Sequence, residues 1–354
     1  MKSIIVIPAL NPPDTLLSYV QELKSAGAGP ILIVNDGSSP DKADIFDRLA
    51  ALPSCTVLTH SVNLGKGRAL KDAFSYILNQ EAWKGRCVIT ADSDGQHLPC
   101  DILRLEARMQ ELSASRQDFL VLGCRNFHQE QVPFRSRFGN LLTCTLFRLL
   151  YGIRVSDTQT GLRGISYGLL SRFCGLSGER FEYEMNMLAY SALAKIPVES
   201  IEITTVYLDN NSESHFNPIV DSFKIYRILF GTFLKYGLSS LLSALIDLSV
   251  FAFAERLLPL AGSRILAATV IARVISSLFN YWFNRRLVFG DRGSARSSLP
   301  KYYALCAAVM LCSAGLVTLF SFLPVPPALI KIVVDSVLYL LNYQVQRRYI
   351  FKYA

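Results

Sequence analysis

Short apolar runs alternate with amphipathic segments and polar turns through the first 230 residues. Runs typical of β-strands recur at residues 4–7, 31–34, 56–58, 87–90 and 119–122. Helical patterns lie between them, at residues 14–26, 41–51, 67–79 and 101–112. Because strands that alternate with helices form βαβ units, this pattern predicts an α/β domain built on a mostly parallel sheet.

Long apolar stretches dominate the rest of the chain, at residues 234–257, 265–283, 303–323 and 329–345. Each is close to the roughly 20 residues that a helix needs to cross a bilayer. Buried helices of a soluble domain are the alternative, but four in succession with short connections and basic flanks favour membrane spans. We therefore expect an α/β domain over residues 1–215 and a four-span α-helical membrane domain over residues 234–354. Residues 216–233 between them suit either a helix lying in the membrane interface or an ordinary linker helix.

The distribution of charge refines this picture. The net charge is +8, but the basic residues form no continuous block, which argues against a nucleic-acid partner. They cluster instead at the ends of the apolar stretches, notably between residues 285 and 301 and after residue 346, whereas the turn at 323–328 is uncharged. By the positive-inside rule, this pattern places both chain ends and the α/β domain in the cytoplasm, as expected for an inner-membrane protein. The apolar run in MKSIIVIPAL is too short for a signal peptide, and the eight cysteines lack metal or disulfide spacing.

Polar residues follow three of the expected strands, at the point where each strand ends. They are PALN at 8–11, NDGS at 35–38 and DSD at 92–94. Ligands of parallel α/β sheets bind beyond the carboxyl ends of the strands, so these turns predict one shared crevice. Each turn alone is equally typical of a simple turn or helix cap. A glycine-rich loop, NLGKGR at 63–68, precedes a helix and could approach phosphates, although it lacks the Walker spacing.

The stretch TADSDGQH at 90–97 is the most informative one for chemistry. Its two carboxylates, Asp92 and Asp94, could share a divalent cation if the backbone turns at Gly95. Carboxylate oxygens together with ligand phosphates suit Mg²⁺ or Mn²⁺. The alternative is an Asx turn that only ends the strand.

Seven segments in order resemble the family 2 glycosyltransferases with the GT-A (Rossmann-like) fold, and most closely the dolichol-phosphate-mannose-synthase type. They are IPALN (7–11), VNDGSS (34–39), NLGKG (63–67), ADSDGQH (91–97), DTQTGLRG (157–164), FEYEMNML (181–188) and TVYLDNNSESHF (205–216). Enzymes of this type charge a polyprenyl phosphate with a sugar. The resemblance covers roughly residues 1–230.

The resemblance implies roles for individual residues. The donor would be held by residues of four of these segments: Pro8, Leu10, Asn11, Asp36, Lys66, Asp92 and Ser93. The metal centre for Mg²⁺ or Mn²⁺ would consist of Asp92, Asp94 and Gln96. One departure affects nucleotide preference: the family's first motif often ends Asn-Glu, whereas here Asn11 is followed by Pro12-Pro13-Asp14.

The same resemblance also implies which residues would bind the acceptor. Arg125 and Arg137 would hold the acceptor phosphate beside the catalytic Asp94. Asp157 would orient acceptor or sugar, or be a turn or cap acid. Glu184, like Glu182, would contact sugar hydroxyls or lie on the exposed side of an amphipathic helix.

The apolar half contains an internal repeat, because FNYWFNRRLVF (279–289) matches LNYQVQRRYIF (341–351) without a gap. Together with KYGLSSLLSALIDLSVF (235–251), it resembles the GtrA-like four-span family associated with lipid-linked sugar export. The repeat predicts two parallel hairpins, with Arg273 opposite Asp335. Charges inside a membrane should face one another, so Arg273 is expected to pair with Asp247 or Asp335, for structure or for transport.

Taken together, these features predict a metal-dependent, inverting transferase that moves a hexose from a nucleotide sugar to an undecaprenyl-type polyprenyl phosphate. UDP-glucose is the preferred donor, with GDP-mannose as the alternative, and the product would serve cell-envelope glycan synthesis. A lipid-linked-sugar flippase with a nucleotide-sensing α/β domain is the rival. A processive synthase is disfavoured because the chain has no Gln-x-x-Arg-Trp signature. Small residues in the spans would permit a homo-oligomer.

Overall fold

The computed structural model describes residues 1–127, 134–204, 220–258, 263–291 and 293–351. The chain divides into two compact units, Met1–Ile228 and Leu229–Ala354. The segment TVYLDNNSESHF (205–216) and residues 217–219 lie outside the described residues.

The first unit is an α/β domain with a single mixed sheet of seven described strands. The strands are β1 (Ile4–Ala9), β2 (Ile31–Asp36), β3 (Cys55–His60), β4 (Val88–Thr90), β5 (Leu120–Arg125), β6 (Arg163–Ile165) and β7 (Val198–Ile203). The helices are α1 (Leu16–Ser25), α2 (Ala43–Ala50), α3 (Lys66–Leu78), α4 (Pro99–Ser113), α5 (Phe134–Tyr151), α6 (Tyr167–Cys174) and α7 (Glu182–Leu193). The sheet order is β3-β2-β1-β4-β6-β5-β7.

The sheet is mostly parallel, which confirms the expected fold class. β1 pairs in parallel with both β2 and β4, β2 with β3, and β5 with β7. Only β6 is antiparallel, and it lies between β4 and β5. The first two strands are buried at every residue, because helices cover both faces of a parallel sheet and leave no polar side.

Pairing register brings the polar turns to one edge of the sheet. Ala9 at the end of β1 pairs with Asn35, and Asp36 pairs with His60 at the end of β3. Thr90 at the end of β4 pairs with Val6. The predicted crevice therefore lies beyond the carboxyl ends of β1, β2 and β4.

The second unit contains helices long and apolar enough to cross a membrane, which confirms the four predicted spans. The candidate spans are Phe223–Leu257, Arg264–Val288, Ala295–Phe320 and Pro327–Ile350. The corresponding helices are α8 (Val220–Leu257), α9 (Arg264–Phe283), α10 (Ala295–Phe320) and α11 (Pro327–Val345). Residues 220–233 are the beginning of α8 and do not form a separate helix, since no proline interrupts residues 220–257.

The sequence repeat is also a structural repeat. Each copy ends in a five-residue π-helical turn, Asn284–Val288 and Gln346–Ile350. We call α8–α9 the first hairpin and α10–α11 the second hairpin, and the end that carries these turns the basic end, because it holds Arg285, Arg286, Arg347 and Arg348.

Repeat-equivalent residues meet each other at the basic end. Phe289 stacks on its equivalent Phe351, with ring centroids 5.3 Å apart. Tyr281 lies 5.8 Å from Phe351, and the equivalent pair, Tyr343 and Phe289, is also separated by 5.8 Å. These reciprocal contacts describe a pseudo-two-fold axis between the hairpins. Because both hairpins begin and end at the same side, the axis runs along the helices.

The ion pairs inside the hairpins show which carboxylate pairs with Arg273. Arg273 pairs with Asp247 at 3.4 Å, and not with Asp335. Asp335 pairs with Lys331 at 2.9 Å, one helical turn before it on α11.

Candidate active site

Asp36 anchors the glycine-rich loop at the end of β2. Its carboxylate accepts hydrogen bonds from the backbone amides of Leu64 at 2.9 Å and Gly65 at 2.7 Å. The His60 ring lies 2.8 Å from the same carboxylate. Asp36 is only 3% exposed, so it holds the loop before α3 from the interior of the domain. Gly65 has φ +103°, and a Cβ there would meet the Glu179 carbonyl, which explains the glycine.

Asn11 ties the first polar turn to the second. Its side-chain oxygen accepts hydrogen bonds from the Ser39 amide at 2.8 Å and the Ser39 hydroxyl at 3.0 Å. The backbone amide of Asn11 donates to the Ser38 hydroxyl at 2.9 Å. Asp14 pairs with Lys42 at 3.0 Å on the exposed side. Asp14, the first acidic residue after this motif, therefore forms an ion pair within the protein.

Asp92 is the centre of a partly buried network of charges. Its carboxylate accepts a hydrogen bond from Lys66 Nζ at 2.7 Å and lies 3.2 Å from His97 Nε2. Lys66 Nζ also lies 3.0 Å from Glu184 Oε1. Burial opposes ionisation of Asp92, but Lys66 and His97 outweigh it and hold the Asp92 pKa well below its ordinary range. Burial likewise lowers the Lys66 pKa, but Asp92 and Glu184 more than compensate and raise it.

Gly161 lies directly against the Asp92 carboxylate. A Cβ at position 161 would lie 2.4 Å from Asp92 Oδ2 and 2.7 Å from Oδ1, closer than atoms can approach. The Gly161 carbonyl in turn accepts a hydrogen bond from the Thr90 hydroxyl at 2.7 Å. The glycine therefore leaves space for this carboxylate, and β4 holds the glycine in place.

Asp94 is the second carboxylate of the stretch. Its Oδ1 accepts a hydrogen bond from the Gln96 amide at 3.0 Å, which closes the turn at Gly95. Burial raises the Asp94 pKa, and the neighbouring Asp92 charge raises it further. Repulsion between two such carboxylates is relieved when a cation binds to both of them.

The donor set suits a hard divalent cation that completes its shell with ligand oxygens. Asp92, Asp94 and Gln96 supply oxygen ligands, the type that Mg²⁺ and Mn²⁺ prefer, and these ions usually take further ligands from phosphates and water. Within the described residues, no group of three or more His, Cys, Asp or Glu side chains could hold a metal ion by itself. These side chains alone would therefore supply only part of a coordination sphere.

Arg125 projects from the end of β5 and is held by Asp157. Its Nε donates to Asp157 Oδ2 at 2.8 Å, and a second guanidinium nitrogen donates to Oδ1 at 3.3 Å. Asp157 is fully buried and also accepts the Gln159 amide at 2.9 Å. The Arg125 guanidinium lies 5.0 Å from the Phe127 ring centroid. Asp157 therefore contacts Arg125 directly, and the guanidinium is fixed in one orientation.

A cavity lies between these two groups. Its lining residues are Asp92, Gln96, His97, Arg125, Gln159, Thr160, Gly161, Ile203 and Thr204. The Asp92 side chain and the Arg125 side chain therefore line one space.

The other predicted residues lie around this cavity or away from it. Pro8 is buried within β1, and Leu10 and Ser93 are half-buried in the first and third polar turns. Arg137 lies exposed on α5 and does not line the cavity.

Three contributors are hard to recognise from sequence. Glu184 is 6% exposed and pairs with Lys66, so the expectation that it lies on an exposed helical face is wrong. His60 has no local motif that would reveal its contact with Asp36. Arg163 is fully buried and donates to the carbonyls of Thr160 and Glu184. In the sequence, Arg163 was indicated only as part of the segment DTQTGLRG (157–164).

Comparison with known proteins finds two family matches that together span both units. Residues 4–165 match the model of glycosyl transferase family 2. Residues 235–351 match the model of the GtrA/DPMS transmembrane domain.

Individual relatives agree with these matches. The UDP-N-acetylglucosamine–dolichyl-phosphate N-acetylglucosaminyltransferase of Methanococcus voltae is 27% identical over 247 residues, covering 64% of this chain and 94% of the relative. The undecaprenyl-phosphate 4-deoxy-4-formamido-L-arabinose transferase of Sodalis glossinidius is 28% identical over 151 residues, covering 41% of this chain and 43% of that relative. Mannosyl-3-phosphoglycerate synthase from Rubrobacter xylanophilus is similar in structure, with a TM-score of 0.44, 17% identity and coverage of 64% of this chain and 72% of that one.

Proposed function

Because the chain carries a glycosyl transferase family 2 domain followed by a GtrA/DPMS transmembrane domain, we propose that it transfers a hexose from a nucleotide sugar to a polyprenyl phosphate. The observation that carries this proposal is the cavity between Asp92 and Arg125. One side carries the Asp92 carboxylate and Gln96, which would face a metal ion and the donor diphosphate, and the other carries the Arg125 guanidinium, which would face the acceptor phosphate. A transferase that joins a phosphate monoester to a diphosphate-linked sugar needs both sides.

The donor would bind at the carboxyl ends of β1, β2 and β4. Asn11 and Asp36 shape the two turns that would surround the base and ribose, and Lys66 lies beside the expected position of the diphosphate. Lys66 Nζ lies 2.7 Å from the Asp92 carboxylate. We expect it to turn from that carboxylate towards a phosphate when the donor binds. Uridine donors are preferred, and the name of the Methanococcus voltae relative, which contains UDP, supports this choice.

The metal would be held by Asp92, Asp94 and Gln96. When bound, Mg²⁺ or Mn²⁺ would offset the charge that develops on the departing nucleoside diphosphate. Burial and then the neighbouring Asp92 charge raise the Asp94 pKa, and a cation bound to both carboxylates would offset both effects, which supports this assignment.

The acceptor phosphate would bind to Arg125. Asp157 holds the guanidinium in place through two hydrogen bonds, so the phosphate meets a cation that is already oriented. Arg137 on α5 is exposed and would reach an acceptor only from outside the cavity.

The residues around the cavity fit a direct displacement at the anomeric carbon. The second pKa of a phosphate monoester is about 6, so the attacking oxygen is largely anionic near neutral pH and needs no strong general base. Positioning and leaving-group stabilisation then supply most of the rate increase. A single displacement predicts inversion at C1.

We place the enzyme in the inner membrane with the α/β domain and both chain ends on the cytoplasmic side. Arg285, Arg286, Arg347 and Arg348 lie at the same ends of their hairpins, as the positive-inside rule requires for that orientation. Soluble sugar nucleotides are available on that side. The product would be an undecaprenyl-type phosphate sugar for cell-envelope glycans.

A donor screen tests the proposal. Purified full-length protein is incubated with radiolabelled UDP-glucose, UDP-N-acetylglucosamine or GDP-mannose, undecaprenyl phosphate and Mg²⁺ or Mn²⁺, and the lipid fraction is analysed by mass spectrometry. We expect one donor to give a polyprenyl-phosphate hexose whose formation stops with EDTA. Nucleotide binding without lipid product from any donor would instead support the rival function, a transporter with a nucleotide-sensing domain.

A further inference from the structure

The two hairpins of the second unit are joined at the basic end. Within the described residues, hydrogen bonds and ring contacts between the hairpins join residues 233–236 and 277–289 of the first hairpin to residues 295–303 and 339–351 of the second. Asn284 Nδ2 donates to its repeat-equivalent Gln346 at 3.2 Å, and the Tyr302 hydroxyl donates to Asn280 at 2.7 Å. Gln346 Nε2 donates to the Tyr236 hydroxyl at 3.2 Å. These contacts all lie near the pseudo-two-fold axis.

Each hairpin carries its own charged group farther along, towards its connecting turn. In the first hairpin, the Ser276 hydroxyl donates to Asp247 at 2.8 Å, and Arg273 lies 3.4 Å from the same carboxylate. In the second hairpin, the Ser313 hydroxyl donates to Asp335 at 2.5 Å, and Lys331 lies 2.9 Å from it.

These charged groups lie too deep for membrane headgroups to solvate them fully. Arg273 is nine residues beyond the start of α9 and Asp335 is eight residues beyond the start of α11. At about 1.5 Å per residue, both lie roughly 12–14 Å from the turn end of a hydrocarbon core about 30 Å thick. Polar groups at such depth normally face protein or a water-filled space.

The same side chains are exposed on the outside of the unit. The side chain of Arg273 is 72% exposed, that of Lys331 59% and that of Asp335 45%. No more than 22% of the most apolar window of any candidate span is buried within the described residues. The charged face of each hairpin therefore has no cover from the rest of this chain as described.

The two faces complement each other in charge. Arg273 and Asp335 occupy equivalent positions of the repeat, 62 residues apart, so the pseudo-two-fold axis places them on opposite sides of the unit. One side therefore presents an arginine at the depth at which the other side presents a carboxylate.

We propose that a second copy of this chain covers these faces, with α9 of one copy packed against α11 of the next and Arg273 paired with Asp335 of the neighbouring copy. The contact is head-to-tail, because a symmetric α9–α9 contact would place two arginines against each other, whereas an α9–α11 contact places Arg273 of one copy opposite a carboxylate of the next. Head-to-tail contacts close into a ring when the rotation between copies permits it. This inference concerns the membrane unit alone and stands whether or not the proposed transferase activity is correct.

Cysteine cross-linking between two tagged copies tests the proposal. One copy carries V270C and a His tag, and the other carries I332C and a different tag; each position is exposed and lies three residues before Arg273 or Asp335, so the charged pair is kept. Cys100, Cys306 and Cys312 are replaced by alanine in both copies. The full-length proteins are co-expressed and oxidised in native membranes with copper phenanthroline. We expect a disulfide-linked dimer that contains both tags. Copies that carry V270C alone should give none, because the α9–α9 contact would bring two arginines together.

A charge variant supplies an independent measurement. R273Q should reduce the oligomer fraction of purified protein about tenfold, measured by light scattering in detergent, because Asp335 of the neighbouring copy loses the arginine across the contact. The matched control is R264Q, which removes a charge at the end of the same helix, where headgroups reach; it should leave the oligomer intact. Monodisperse elution of both variants shows that they fold.

The outcomes separate the proposal from its rivals. A mixed-tag dimer together with loss of the oligomer in R273Q supports it. A monomer in the unsubstituted protein, a dimer from V270C alone, or cross-links only to other membrane proteins would overturn it.

Discussion

Replacing Gly161 with alanine should separate the fold from the chemistry of the cavity. The new Cβ would lie 2.4 Å from Asp92 Oδ2, whereas ordinary contact begins near 3.4 Å, so the carboxylate must move by about 1 Å. The obstructing atoms are the end of a side chain, and the backbone of β4 and of residues 160–162 can remain in place. We therefore expect the protein to fold while Asp92 leaves its position beside Lys66 and the metal site.

The size of the effect follows from that displacement. A misplacement of about 1 Å at a reacting centre can cost about 100-fold in rate. This corresponds to about 2.7 kcal/mol of transition-state stabilisation. We expect kcat for lipid glycosylation to fall by about this factor, and the Mg²⁺ or Mn²⁺ concentration for half-maximal activity to rise.

Two alanine variants act as matched controls for Gly161→Ala. Gly175→Ala places its Cβ 3.5 Å from the Arg172 carbonyl, an ordinary contact, and should leave activity unchanged. Gly164→Ala places its Cβ 2.3 Å from Met109 Sδ in the core, so it should lower the melting temperature without changing the metal requirement of the folded fraction.

The assay is steady-state transfer from radiolabelled donor to undecaprenyl phosphate across a metal titration, with a thermal melt for each variant. Gly161→Ala with activity and metal requirement within twofold of the unsubstituted protein would refute the reasoning. It would show that the position of Asp92 does not control the reaction.

Further predictions concern the acceptor end and the carboxylate pair. Arg125→Lys should raise KM for polyprenyl phosphate and leave donor KM unchanged, because a lysine cannot keep both hydrogen bonds to Asp157. Arg172→Lys on the exposed side is the control. A change confined to donor KM would contradict the assignment. Asp94→Asn should abolish metal-dependent transfer while the protein stays folded. Activity and a metal requirement equal to those of the unsubstituted protein would count against a metal ligand there. The raised pKa of Asp94 also predicts pH dependence. Without metal, ionising this carboxyl costs stability, so the melting temperature should fall as pH rises through its pKa. Cation binding reverses this cost, so apparent metal affinity should weaken as pH falls; affinity that is flat from pH 4 to 8 would oppose this explanation.

The main elements could be predicted from the sequence because the apolar periodicity of the first five strands and the four spans is strong. β6 and β7 were not anticipated. β6 has only three residues and begins with a buried arginine, Arg163, which no apolar pattern reveals. β7, with sequence VESIEI, contacts only one neighbouring strand and therefore carries charges between its apolar residues.

The site was only partly predictable, because motifs identify residues but not their partners. The stretch at 90–97 indicated the carboxylates, yet the contact between Lys66 and Glu184 joins segments 118 residues apart, and only the fold brings them together. Asp157 illustrates the same limit. Its sequence position left a turn acid and an acceptor contact open, and the structure shows a buried carboxylate that orients Arg125. The repeat in the spans was visible in the sequence, but the stacking of Phe289 on Phe351 was not.

The central claim is that a cation held by Asp92 and Asp94 binds the donor diphosphate, and calorimetric titration of the full-length protein with a nucleoside diphosphate tests it most directly. Comparing UDP and GDP, with and without Mn²⁺, also identifies the base. We predict tight binding of one nucleotide that requires the metal and is lost in Asp94→Asn. Equal binding without metal, or unchanged metal-dependent binding in Asp94→Asn, would contradict the account.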